Sequence, residues 1–166
     1  MAEVSRLYLD ANIIIHLVEH NDDLAKAFVR LFTAQARGRP FLVTSELTLM
    51  EALVSPYREK NDQLIDRYDD AMISNSQLEV APIVRPVLWY AAVLRSQYPA
   101  LKTPDAIHVS TAIGMRCSHL LTADKRLANR YELLHHRYGL LKGPADVEVL
   151  RPELEVVRQL IEIAAR

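Results

Sequence analysis

Short apolar runs that lead into an acid constrain this chain more than any other feature. "LYL" at residues 7–9 runs straight into Asp10, "FLVTS" at 41–45 opens a helix that carries Glu51, and "SHLL" at 118–121 is followed by Asp124. None of these runs alternates apolar with polar residues, which is the pattern of strands covered on both faces. Between them lie stretches with helical periodicity, such as Leu24, Ala27, Phe28, Leu31 and Phe32. Strands alternating with helices predict an α/β fold around a central, mainly parallel, short-stranded sheet.

In chain order the reading is a strand at 7–9, a helix from about 13 to 19, and a helix over 22–38 ended by Gly38 and Pro40. Then come the strand at 41–45, a helix "ELTLMEALVSP" stopped near Pro56, and a charged, solvated helix over 58–75. "LEVAPI" is a strand and residues 86–97 form a helix. "KTPDAIHVSTAIGMR" is a helix with Thr103 as N-cap and Pro104 at its first position. "SHLLTAD" is a strand feeding a cap, residues 131–145 are irregular, "VEVL" is a last strand, and a final helix starts at Pro152. At 166 residues the chain suits one domain, residues 1–150, with 151–166 as a C-terminal helix packed on it.

The formal net charge is -1, so nothing global points to nucleic acid. The charge is uneven, however: residues 46–79 carry a net of -5 and residues 116–142 a net of +4. A local basic stripe steers anions even when the total is neutral. One cysteine, Cys117, permits no internal disulfide and fits a reducing cytosol. No run is long enough to span a bilayer and the N-terminus lacks a signal-peptide pattern, so the expected location is cytoplasmic, with no membrane.

In open parallel sheets, sites form at the carboxyl ends of strands. Asp10 and Asp124 follow strands, Glu51 lies one turn into the helix after the second strand, and Asp105 sits just inside a helix start. Asp105 and Asp124 are both expected at helix N-termini, where the dipole keeps a carboxylate ionised. Taken singly, Asp105 is explained as a dipole acid and Asp124 as a cap, whereas a capping box of Glu51 with Thr48 fits poorly, because the apolar pattern begins before Thr48 and Glu51 is the only ionisable residue between Leu47 and Val54. Asp10 among Leu, Ile and Tyr is not so explained, because an unpaired buried carboxylate is costly. A shared cation accounts for all four. The donors are oxygens, with no thiol and no paired histidines at metal spacing in this reading, so Mg²⁺, with Mn²⁺ as alternative, fits best. Such a centre suits phosphodiester hydrolysis by a metal-activated water.

"YLDANIII", "TSELTLMEAL", "TPDAIHVSTA" and "LLTADKRL" together resemble the four acidic motifs of PIN-domain nucleases, most closely the VapC-type toxins of toxin–antitoxin pairs. The resemblance runs from about Leu7 to Leu127 and implies a PIN-like α/β/α sandwich and a metal-dependent ribonuclease. It carries the catalytic and metal-binding roles onto Asp10, Glu51, Asp105 and Asp124, and a supporting role onto Asn12 and Thr122. The last motif departs in having Ala123 where Asn or Ser is frequent. The expectation is a Mg²⁺-dependent endoribonuclease toxin with an RNA substrate and an antitoxin partner, homodimerisation being open. Alternatives are a housekeeping RNA-processing nuclease, an aspartyl phosphotransferase or phosphatase with Asp10 as nucleophile, and an inactive binding module.

Lys125, Arg126 and Arg130 are candidate RNA-phosphate contacts, with a solvated basic face as the alternative. His108, one turn from Asp105, is expected to be structural or to support the site from behind rather than touch substrate, His135-His136 to be a surface loop pair, and Trp89 and Tyr90 core residues.

Overall fold

The computed structural model describes residues 4–35 and 40–166. Its elements are β1 (Leu7–Leu9), α1 (Ala11–Glu19), α2 (Asp23–Thr33), β2 (Leu42–Ser45), α3 (Glu46–Glu59), α4 (Asp62–Ala71), β3 (Leu78–Ala81), α5 (Arg85–Gln97), α6 (Thr103–Gly114), β4 (His119–Leu121), β5 (Arg130–Arg137), β6 (Leu140–Leu150) and α7 (Leu154–Ala164). The sheet order is β3-β2-β1-β4-β6-β5, parallel except for β5. This is the expected α/β architecture with a mainly parallel sheet. Among the described residues no helix is long and apolar enough to cross a membrane.

Alternation within β1 creates two cores. Leu7 and Leu9 face one layer with α1, α2, α3, α4 and α7, and Tyr8 faces the other with α5 and α6. In α7, Val157 and Leu160 are fully buried in the first core. The chain leaves β1 toward β2 and β3 on one side and returns to β4 on the other. The carboxyl ends of β1 and β4 therefore flank a topological switch point, where open α/β sheets open a crevice.

Several expected boundaries move. The end of the predicted helix at 22–38 lies outside the described residues; α2 itself runs to Thr33. Pro56 does not stop α3, which continues to Glu59 and ends at Lys60, in the left-handed region at φ 54°. Pro56 is buried, so packing holds the extra turn. The charged segment after it breaks at Asn61, which caps α4 by accepting from Leu64 N–H at 3.1 Å. In α6 the cap shifts to Lys102, with no side-chain cap bond, and Thr103 becomes the first helical residue. Residues 131–145 are not irregular: they form most of an antiparallel hairpin, β5 and β6. His135 and His136 lie in its first strand rather than in a loop. Trp89 is 52% exposed, not core, with the Arg137 guanidinium 5.2 Å over its ring.

Candidate active site

Asp10 is the N-cap of α1, and its carboxylate is held from both the start of α1 and the end of β4. Its backbone leaves β1 extended, and Oδ1 accepts from Ala11 N–H at 2.7 Å. Its other oxygen, Oδ2, accepts from Asn12 Nδ2 at 2.5 Å and from Thr122 Oγ1 at 2.6 Å. Asn12 Oδ1 in turn accepts from Ala123 N–H at 2.8 Å, which ties the end of β4 to the start of α1. Asn12 and Thr122 thus orient the buried carboxylate.

His108 stands at the centre, on the buried face of α6. Its Nε2 lies 2.8 Å from Glu51 Oε2 and 3.4 Å from Asp10 Oδ1, and its Nδ1 lies 2.8 Å from Tyr8 Oη. Tyr8 Oη also meets Ser45 Oγ at 2.7 Å. One tautomer satisfies the whole chain of contacts: Ser45 donates to Tyr8, Tyr8 donates to Nδ1, and Nε2–H donates to Glu51. Burial drives the Tyr8 hydroxyl well above its ordinary range, so it remains a donor. Ligand atoms of Asp10, Glu51 and His108 lie within 4.8 Å of one another; with both ring nitrogens of His108 engaged, the carboxylates are the groups left to face an ion.

Asp105, in the first turn of α6, lies close enough to feel Asp124 and Asp10. Burial first, then those two carboxylates, push its pKa up, so the helix terminus does not dominate. Asp124 differs from expectation in another way. No helix follows it; a turn does, and Asp124 Oδ1 accepts from Arg126 N–H at 2.9 Å. The Arg126 guanidinium grips both carboxylate oxygens, with Nε to Oδ1 at 2.9 Å and a second nitrogen to Oδ2 at 2.5 Å. That fork holds the Asp124 pKa at about 2.

The four acids predicted from sequence therefore lie at one rim, in two sub-groups: Asp10 with Glu51, bridged by His108, and Asp105 beside Asp124. The donor set is chiefly carboxylate oxygen, and the like-charge pressure on Asp105 is what a divalent cation relieves, so a hard metal ion fits. Of the basic candidates, Lys125 is exposed, Arg126 is committed to Asp124, and Arg130 pairs with Asp146 at 2.8 Å across the hairpin.

Sequence reasoning placed His108 beside Asp105 in a supporting role but did not foresee its bonds to Glu51 and Tyr8. The available signal was its position one turn after Asp105 on the apolar face of α6. It also overlooked a histidine pair at i and i+4: His16 and His20 stack with ring centroids 4.5 Å apart, beside Asp22. That group lies at the far end of α1 and takes no part in the acidic rim.

The family model described as PIN domain matches residues 7–133. No curated protein matches the sequence. Among solved structures, a chain of a toxin–antitoxin complex from Klebsiella pneumoniae is 28% identical, with a TM-score of 0.54 over 72% of this chain and 87% of that one. VapBC2 from Rickettsia felis, bound to a DNA fragment from its promoter, is 19% identical, with a TM-score of 0.57 over 71% and 86%. VapC20 from Mycobacterium tuberculosis, described as a sarcin-ricin loop cleaving toxin, is 14% identical, with a TM-score of 0.56 over 69% and 86%. The last two show likeness of fold alone. With the acidic rim in place at the switch point and three quarters of its length matched, the chain belongs to the PIN-domain family.

Proposed function

We propose that this protein is a Mg²⁺-dependent endoribonuclease, with Mn²⁺ as substitute, and the toxin of a toxin–antitoxin pair. The observation that carries the reading is the convergence of Asp10, Glu51 and His108 within 4.8 Å, with Asp105 and Asp124 beside them at the switch point. Family membership supports nuclease chemistry, and the likeness to the Klebsiella pneumoniae toxin–antitoxin complex supports the paired system.

Asp10, Glu51, Asp105 and Asp124 would hold the cation. When bound, it polarises the phosphoryl oxygens and lowers the pKa of a water molecule. Asp10 is held in one rotamer by Asn12 and Thr122. Glu51 is held against His108 and is placed to accept a proton from the attacking water. Arg126 keeps Asp124 ionised. The expected products carry a 5′-phosphate and a 3′-hydroxyl.

The test is cleavage of total RNA by purified protein with Mg²⁺, with EDTA, and with Asp105→Ala. Cleavage only by the wild type with metal is expected. Undiminished cleavage in EDTA would defeat the metal-dependent reading. Expression in a bacterial host is expected to arrest growth, with relief by Asp105→Ala. Harmless expression of the active enzyme would leave a housekeeping nuclease.

A further inference from the structure

A cavity of about 340 Å³ opens beside the acidic rim, and Asp105 and Arg126 line it. One wall is the α5–α6 linker, including Tyr98, Leu101 and Lys102. The other is the segment between β4 and β5, with Leu127, together with Tyr131 at the start of β5. Its size falls at the small end of the range for ligand pockets, which suits one nucleoside rather than a folded partner.

The walls are aromatic and fixed. The rings of Tyr98 and Tyr131 meet edge to face, 5.0 Å apart at 78°. Tyr131 Oη accepts from Ala128 N–H at 3.0 Å, and Tyr98 Oη accepts from Glu132 N–H at 3.0 Å. Both hydroxyls are therefore tied to backbone, and what the rings offer the cavity is apolar surface. The Lys102 side chain is exposed at the rim. A base has a flat apolar face and is tethered to an anionic backbone. An aromatic wall, an exposed cation at the mouth and direct continuity with the acids together match that ligand.

We propose that this cavity is a nucleobase subsite, which takes the base of an unpaired nucleotide next to the scissile phosphate and so sets the register of cleavage. The proposal rests on the nuclease reading above. A base can enter only when unstacked, so the preferred substrate is a single-stranded or loop segment. Tyr98 is a positioning residue in this arrangement.

The test fills the cavity from its exposed lining. Ala128→Trp is the first variant and Ala100→Trp the second; both residues are exposed, and each variant is checked for folding by thermal melting. The probe is a short single-stranded RNA containing one wild-type cleavage site, and a series carrying one abasic ribose at each position around it. Binding is read in EDTA by fluorescence anisotropy. The filled variants are expected to bind the intact RNA about tenfold more weakly than wild type, with KM raised to match and kcat little changed. One abasic RNA is expected to bind wild type and filled variants alike, because base and indole compete for the same space. If the filled variants bind intact RNA as wild type does, or lose the same factor on every abasic RNA, the subsite is overturned while RNA cleavage by wild type keeps the nuclease reading standing. If wild type cleaves no RNA, the nuclease reading falls and takes the subsite with it. Loss of binding to a protein partner, with RNA binding intact, also overturns the proposal and makes the cavity a protein-docking pocket.

Discussion

Two aspartates of the rim are held in opposite ways, so removing their charge has opposite effects on stability. Asp10 accepts three hydrogen bonds, from Ala11 N–H, Asn12 and Thr122. Asp10→Asn turns an amide toward donors, and the expected loss is about 1–3 kcal/mol, the cost of an unsatisfied buried group. Asp105 is instead pushed up by burial and by Asp124 and Asp10. With its folded pKa above its unfolded value, the folded state binds the proton longer, and stability falls as pH rises from about 3.8 through the folded pKa. Asp105→Asn removes that cost. In EDTA at pH 7 its melting temperature is expected to equal or exceed that of wild type, while Asp10→Asn melts lower; both variants are expected to lose RNA cleavage. A lower melting point for Asp105→Asn would contradict the like-charge account. His119 offers a separate test. It is 2% exposed, and burial lowers its pKa. The unfolded chain therefore takes up the proton first, and stability contributed above pH 6.5 is lost as pH falls through the folded value. Melts between pH 7 and pH 5 should show this slope, and His119→Gln should flatten it.

Within the elements, Pro56 sets two effects against each other. A proline inside a helix costs up to about 3 kcal/mol relative to alanine, in part because it has no N–H to donate. Its ring is buried, and Pro56→Ala removes two methylenes, about 1.6 kcal/mol at 0.8 each. The helical gain is the larger, so Pro56→Ala is expected to raise stability by about 1 kcal/mol in urea unfolding; destabilisation would mean that the ring fills space nothing else can. The same element explains part of what the sequence hides: a proline reads as a stop when its packing is invisible. The hairpin was hidden for a related reason. Gly139 and Gly143 read as loop punctuation, but Tyr138 and Gly139 make its turn at φ 53° and 75°. A side chain at Gly143 would meet the Leu133 carbonyl at 2.3 Å, next to the register shift between Leu133 and His135. By contrast, β1, β2 and β4 were legible because each carries consecutive apolar residues, without alternation, and gives way to polar ones at its end. Asp10 and Asp124 were legible because they follow two of those strands, Glu51 because it is an isolated acid in an apolar stretch of α3, and Asp105 because it sits at the start of α6. The bonds of His108 to Glu51 and Tyr8 span 57 and 100 residues, and no local pattern encodes them.

For the molecule as a whole, the rim carries repulsion that a bound cation would relieve. Mg²⁺ that binds the folded state alone raises stability by about 2.7 kcal/mol at a hundred times its dissociation constant. The melting temperature is therefore expected to climb with Mg²⁺ concentration in wild type and much less in Asp105→Asn. A flat response in wild type would remove the ion from this rim. The sheet order has one further consequence, concerning time rather than space. The first strand of the chain is also an interior strand of the sheet, and its second neighbour is β4, at residues 119–121. A nascent chain has already made Asp10, Glu51, Asp105 and His108 before Thr122 and Asp124 exist. Until then Asp10 lacks the hydroxyl that orients it, and β1 has an open flank. Synthesis toward the C-terminus thus completes the proposed metal-binding rim only once residues 119–124 have been made. Fragments ending before residue 119 should be inactive at any concentration of metal.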